Sequence, residues 1–351
     1  MKKVLVSDLV PGMVLAKDVI LEDGKILLLS GFAIKPRYIN KMASFNVEYV
    51  YIDEDQNIPV EELSEEKVYS EAFSATKNIL NSVRQGEPVN VGIVKDTVEN
   101  IIQKLINTDA VFMQLTGIRD IDNYTFLHSL DVCIFSLITG RKLGLSPFDL
   151  NELGVSALLH DVGKCKVPLN ILKKPAKLND DEFRIMKLHS VYGYEIISNT
   201  PGLSKRVANT ACQHHEKWDG TGYPLGLKGY DIEKFARIVS IADVYDALIS
   251  NRSYRKKLLP HIATEYIMGY SSVQFDSDIV EVFVKNIVTY PNGIIVLLDT
   301  GEIGTVIEDR HPLSMRPKLK IIARKDGPPI LDPYILDLLE APSVSIVDII
   351  F

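Results

Sequence analysis

The chain has 351 residues, of which 46% are apolar and 24% charged, a globular composition long enough for two or three packed domains and unlike a disordered or collagen-like chain. Its net charge of −7 excludes the basic face that a nucleic-acid polymer requires, although a small anion needs only a local cationic pocket. Cys133, Cys165 and Cys212 are scattered and odd in number, as reduced, mostly buried thiols would be, and no apolar run suits a signal peptide or membrane span, so a cytoplasmic location with no membrane contact is expected.

Residues 1–58 carry short apolar runs broken by turn signals, among them Glu22-Asp23-Gly24-Lys25 before Ile26. This predicts a small β-rich module with one helix near 36–45, and Asp53 to Pro59 is expected to be a linker. Residues 59–119 form a helical connector, with helices over Glu61 to Arg84 and Val91 to Ile106. The helical pattern continues through 120–290, with helices predicted over Leu127 to Leu143, Asp149 to Leu159, Asp180 to Ile197, Ser204 to His215 and Phe235 to Ser250. After Tyr290-Pro291-Asn292-Gly293 the pattern returns to strands, Ile294 to Leu298, Ile303 to Ile307 and Lys318 to Ala323, which predicts a second small β-rich module over 291–351.

The chemistry is signalled by histidine. Five of the seven, His128, His160, His189, His214 and His215, fall in the helical region at intervals of 25 to 32 residues, a spacing that fits one ligand per helix around a common point. In His160-Asp161 an imidazole and a carboxylate adjoin at a predicted helix end, where they can serve two neighbouring metals with the aspartate bridging. The plain alternative is a helix-terminal histidine near a capping glycine. His214-His215 is a second such pair; adjacent side chains on a helix diverge by about 100°, so both reach one centre only at a helix end or around two metals. Asp243, on an otherwise apolar helix, needs a partner or a metal to be stable in a core. His261 and His311 read as surface residues, and Phe135, Leu137, Ile138 and Leu143 as core.

In their order, His128-Ser129, His160-Asp161-Val162-Gly163-Lys164, Lys187-Leu188-His189, His214-His215-Glu216, Gly222-Tyr223-Pro224, Ala242-Asp243-Val244-Tyr245-Asp246-Ala247 and Asn251-Arg252-Ser253-Tyr254-Arg255 resemble the HD-GYP phosphodiesterases, a branch of the HD superfamily of metal-dependent phosphohydrolases, over about residues 120–290. The resemblance implies a mainly α chain, an HD-type helical bundle flanked by the two β-rich modules. It implies metal ligation by His128, His160, Asp161, His189, His214, His215 and Asp243, with Asp161 bridging. Some members carry a glutamate four residues before the first histidine, which supports a third metal. Here that position is Tyr124, which favours two.

A nitrogen and oxygen donor set without sulfur suits iron or manganese, and the resemblance implies the same. It also implies hydrolysis of cyclic di-GMP to pGpG and onward to GMP. Lys164 would contact phosphate and assist the leaving group, Arg252 and Arg255 would hold the substrate phosphates, and Tyr223 would contact a base. Trp218 either stacks on a guanine or packs its loop. Cyclic GMP-AMP is the alternative substrate. The non-enzymatic alternative is a cyclic dinucleotide receptor or scaffold that binds a diguanylate cyclase through the Gly-Tyr-Pro loop, for which eroded ligands would be expected. The N-terminal module is expected to be regulatory, dimerising or structural, and a homodimer is compatible with it.

Overall fold

The computed structural model describes residues 1–20, 26–28, 30, 34, 38–39, 42–43, 45–57, 62–105, 124–250, 257–287, 289–290, 292–308, 315–324 and 329–350. The chain divides into two compact units. One gathers Met1–Lys67 with Asn292–Glu308 and Arg316–Phe351, and the other is built on Val68–Pro291.

In the first unit, β1 (Lys2–Leu5), β2 (Met13–Leu15) and β5 (Tyr49–Asn57) form an antiparallel sheet in the order β1-β5-β2, and β3 (Val19–Ile20) pairs with β4 (Ile26–Leu28). The predicted turn at 22–25 lies outside the described residues, as does most of the predicted helix near 36–45. The stretch expected to be a linker from Asp53 is instead strand as far as Asn57. Although this stretch is acidic, the β2 backbone pairs Val14 with Asp53 and Met13 with Asn57 across a bulge, and the ladder extends the strand.

The carboxy-terminal part is a five-stranded antiparallel sheet in the order β10-β6-β7-β8-β9, from β6 (Ile295–Leu298), β7 (Glu302–Glu308), β8 (Lys318–Arg324), β9 (Pro329–Asp337) and β10 (Ile346–Ile349). The last two strands carry no clean alternation in sequence and take their place by pairing with β8 and β6.

The helical unit contains most of α1 (Glu62–Arg84), then α2 (Val91–Lys104), α3 (Tyr124–Lys142), α4 (Pro147–Leu159), the short α5 (Leu169–Leu172), α6 (Asp180–Lys187), α7 (His189–Ser198), α8 (Lys205–Gln213), α9 (Lys234–Ile249), α10 (Pro260–Gly269) and α11 (Ser277–Asn286). Side-chain caps start several of them: the side chains of Asn90, Ser146 and Ser204 each accept a backbone N–H, and Asn179 forms a capping box with Glu182. Most of the helices share one apolar core, in which Phe135, Leu137 and Ile138 are buried and Leu143 packs against it. No helix among the described residues is long and apolar enough to cross a membrane.

Two departures bear on the site. The helix expected over 180–197 breaks at Leu188 into α6 and α7. His261 is not a plain surface residue, because its Nδ1 meets the hydroxyl of buried Tyr290. His311 lies outside the described residues.

Arg237 on α9 ties the unit together near the Trp218 loop. Its Nη1 lies 2.6 Å from Oδ2 of buried Asp276, the N-cap of α11, and its Nε donates to the Ile232 carbonyl at 3.1 Å. The guanidinium also lies over the rings of Trp218 and Tyr230. Removing one partner of a buried ion pair leaves the other uncompensated, so Arg237→Met should cost about 3–5 kcal/mol of stability. Urea unfolding of the two proteins checks this, and a loss below about 1 kcal/mol would contradict a structural role for the pair.

Candidate metal centre

Four of the five helical histidines are fixed in two ways. His160 follows α4, His189 opens α7 at the break after α6, and His214 follows α8. In each, Nδ1 meets the carbonyl oxygen three residues earlier: Ala157 at 2.7 Å, Met186 at 2.7 Å and Ala211 at 2.9 Å. A carbonyl oxygen only accepts, so Nδ1 carries the proton and Nε2 of the neutral ring keeps a bare lone pair. At the break the Leu188 backbone N–H turns to the Ile185 carbonyl at 3.1 Å, and the Met186 carbonyl takes the imidazole.

His128 sits within α3, where no such carbonyl is free. Its Nδ1 instead donates to Oδ2 of Asp246 at 2.7 Å, across from α9. Asp246 is fully buried and also accepts from the Ser250 hydroxyl. It was not singled out from sequence as a site residue. The signal was its position three residues after Asp243, one turn along the same helix face. A carboxylate behind an imidazole fixes its tautomer and orientation.

The inward atoms converge in two groups, Asp161 with His189, His214 and His215, and His128 with His160 and Asp243; within each group the donor atoms lie within 4.8 Å of one another. Asp161 stands between them. Its Oδ1 is 3.4 Å from His189 Nε2 and 3.7 Å from His214 Nε2, and its Oδ2 is 3.4 Å from His160 Nε2 and 3.7 Å from His128 Nε2. His128 Nε2 lies 3.1 Å from Asp243 Oδ1, and His215 Nδ1 lies 3.8 Å from Asp243 Oδ2. All seven side chains expected from sequence are therefore brought together.

These residues fit a divalent cation. His160 Nε2 and Asp161 Oδ1 are buried with no hydrogen-bond partner, and the bare Nε2 atoms of His189 and His214 face each other at 3.3 Å. Lone pairs collected without a donor are unfavourable until a cation joins them.

The close approach of the segments depends on glycine. Gly163, in the 3-10 turn Val162–Lys166, passes so near α7 that a Cβ there would lie 1.9 Å from the His189 carbonyl oxygen and 2.4 Å from Gly193 N. Gly222 passes the His214-His215-Glu216 segment in the same way, with a Cβ position 2.4 Å from Glu216 Cα. Buried Glu216 accepts the backbone N–H groups of Leu225, Gly226 and Leu227 at 2.7–3.1 Å, anchoring the Gly-Tyr-Pro loop to the end of α8. Tyr223 N donates to the His215 carbonyl, and its ring lies 4.8 Å from that of His215.

Lys164 does not point into open solvent; its Nζ contacts Asp161 Oδ2. Trp218 packs its loop, with its ring edge-on to Tyr230 and its backbone N–H on the Gln274 carbonyl. Arg252 and Arg255 lie outside the described residues.

The electrostatics of the metal-free chain follow from burial and pairing. Burial opposes charge on His128, but hydrogen bonds to Asp243 and Asp246 overcome it and raise its pKa from 6.5 to about 9. Burial pushes His189 and His214 down, and His215 down to about 3. Burial would raise Asp161 and Asp243, yet Lys164 holds the first, and His128 the second, well below the usual carboxylate range.

The raised His128 stabilises the fold fully below the unfolded value of 6.5, and this is lost as pH climbs to about 9. The three depressed histidines act oppositely, because the unfolded chain takes up their protons below 6.5 and the folded chain resists. Thermal unfolding of chelator-treated protein should therefore show a maximum near pH 6.5, with an alkaline limb extending to about pH 9 that flattens in Asp246→Asn. An alkaline limb unchanged in that variant would contradict the His128–Asp246 assignment.

Residues 122–279 match the HD domain family, and residues 295–351 match the KOW domain associated with HD domain. The chain is 32% identical over 252 residues to the cyclic di-GMP phosphodiesterase PA4108 of Pseudomonas aeruginosa, covering 72% of this chain and 61% of that one. It is 33% identical over 200 residues to the 3'3'-cGAMP-specific phosphodiesterase 2 of Vibrio cholerae, covering 56% and 38%. It thus spans less than two thirds of the length of either relative. Among solved structures, Bd1817, an HDG"Y"P protein from Bdellovibrio bacteriovorus, has a similar fold, with a TM-score of 0.53 at 19% identity, covering 80% of this chain and 97% of that one. The histidine and aspartate cluster and the Gly-Tyr-Pro loop both lie inside the matched stretch, and residues 122–279 of this chain are an HD domain.

Proposed function

We propose that the chain is a phosphodiesterase that hydrolyses cyclic di-GMP to pGpG and onward to GMP with two metal ions. The single observation that carries the reading is the convergence of His128, His160, Asp161, His189, His214, His215 and Asp243, with buried lone pairs that lack donors. Names of relatives such as PA4108 supply the substrate class.

In this reading His189, His214 and His215 would hold one ion and His128, His160 and Asp243 the other, with Asp161 placed to serve both. Nitrogen and oxygen donors without a thiolate favour iron or manganese. When bound, the metals would supply Lewis acidity toward the phosphate oxygens and water acidic enough to act as a nucleophile at neutral pH. The protein fixes the donors: the backbone carbonyls behind three of the imidazoles and Asp246 behind a fourth hold each ring in one tautomer. Lys164, beside Asp161, is placed to neutralise a phosphate oxygen or protonate the leaving alkoxide. The Gly-Tyr-Pro loop, held by Glu216, sets Tyr223 against His215 beside the metal ligands.

The domain division that accompanies this reading is a 1–58 module, a 59–119 connector, a 120–290 catalytic domain and a 291–351 module, supported by the family matches at 122–279 and 295–351. A cytoplasmic location suits a cyclic dinucleotide substrate. Cyclic GMP-AMP is a second substrate reading, favoured by the name of the Vibrio cholerae relative.

Anaerobic purification with iron and manganese quantified, followed by incubation with cyclic di-GMP and cyclic GMP-AMP, tests the proposal. About two ions per chain are expected, with linear product from the parent and neither metal nor product from the His160→Ala, Asp161→Ala double variant. Metal without turnover of either nucleotide would overturn the substrate, and absence of metal under iron-replete reducing conditions would overturn the mechanism.

A further inference from the structure

Lys187 ends α6, two residues before His189. Its Nζ lies 4.8 Å from the centroid of the Phe183 ring and 5.0 Å from that of Tyr223, and Tyr223 in turn lies against His215. The ammonium is thus two ring contacts away from a member of the metal cluster, partly buried, with aromatic faces replacing some of its water.

Several other cations of the helical unit face carboxylates. Lys164 meets Asp161, Lys174 meets Glu182, Arg206 meets Asp149, and Arg237 meets Asp276. Among the described residues Lys187 has no carboxylate partner, although the chain carries a net charge of −7. A cation at a helix C-terminus is favoured by the helix dipole, and this explains a basic residue in the last turn. It does not explain why the side chain lies on Tyr223 beside the cluster, while Arg184, in the same turn, pairs with Asp181 at the surface.

We infer that Lys187 receives the second, uncleaved phosphate of a cyclic dinucleotide while the other phosphate occupies the metal cluster. The inference rests on the phosphodiester reading above and deepens it. A cyclic dinucleotide carries two phosphodiesters on one ring, so a substrate held at the cluster by one must place its second anion nearby, and a partly desolvated ammonium is a strong partner for it. Lys187 is then a specificity residue for substrates with two phosphates. It contributes little toward a simple diester, which has only the phosphate at the metals.

The test compares the metal-loaded parent with Lys187→Gln and Lys187→Arg, reading bound metal, calorimetric affinity for cyclic di-GMP, and kcat and KM for cyclic di-GMP and for bis(4-nitrophenyl) phosphate. With metal content unchanged, Lys187→Gln should weaken cyclic di-GMP binding and raise KM about 10- to 100-fold. This loss should exceed the loss with bis(4-nitrophenyl) phosphate by at least about tenfold, and Lys187→Arg should recover most of it. Equal losses on both substrates, or unchanged affinity for cyclic di-GMP, would overturn the inference. A parent that binds cyclic di-GMP without cleaving it would sink the phosphodiesterase reading alone, and the assignment of Lys187 would stand if Lys187→Gln still weakened binding. A parent that neither binds nor cleaves it would overturn both.

Discussion

Three imidazoles whose Nδ1 protons are committed to the backbone carbonyl three residues earlier set the terms for the rest of the helical unit. Each commitment turns Nε2 inward as a pure acceptor, and the inward atoms of His160, His189 and His214 meet around Asp161. A buried assembly of acceptors is unfavourable on its own, so the surrounding packing must impose it. Gly163 permits the turn after Asp161 to press on α7, and the Arg237–Asp276 pair fastens α9, which carries Asp243 and Asp246.

His128 shows the same requirement met by other means. Lying inside a helix, it has no spare carbonyl behind it, and a buried aspartate from α9 takes that role. The consequence is electrostatic: without metal, His128 holds a proton between Asp243 and Asp246, while burial disfavours the charged forms of His214 and His215. Metal binding must displace that proton, which couples occupancy of the centre to pH.

The dipeptides His160-Asp161 and His214-His215 and the isolated Asp243 pointed to a metal site, because such groups are costly in a core unless they share a ligand, and the full donor set came from the resemblance to the HD-GYP phosphodiesterases. Helical periodicity marked most of the elements that carry them. The break at Leu188 was not legible, since the apolar pattern runs through it. Asp246 was visible only as part of a motif, because its role depends on the packing of α9 on α3. Strand β5 beyond Asp53 looked like a polar linker, and pairing with β2, remote in sequence, decided otherwise. Lys187 entered only through the Lys187-Leu188-His189 motif, inside a helix predicted over 180–197, and its place over Tyr223 depends on the Glu216-anchored loop, remote in sequence.

The central claim is that Asp161 joins two ligand groups into one centre. Electron paramagnetic resonance of protein loaded to saturation with manganese addresses this directly. Two ions bridged by one carboxylate are exchange-coupled, so the account predicts a multiline spectrum from a coupled pair in the parent and its collapse to isolated-ion signals in Asp161→Asn. A spectrum of a single isolated manganese in the fully loaded parent would contradict it.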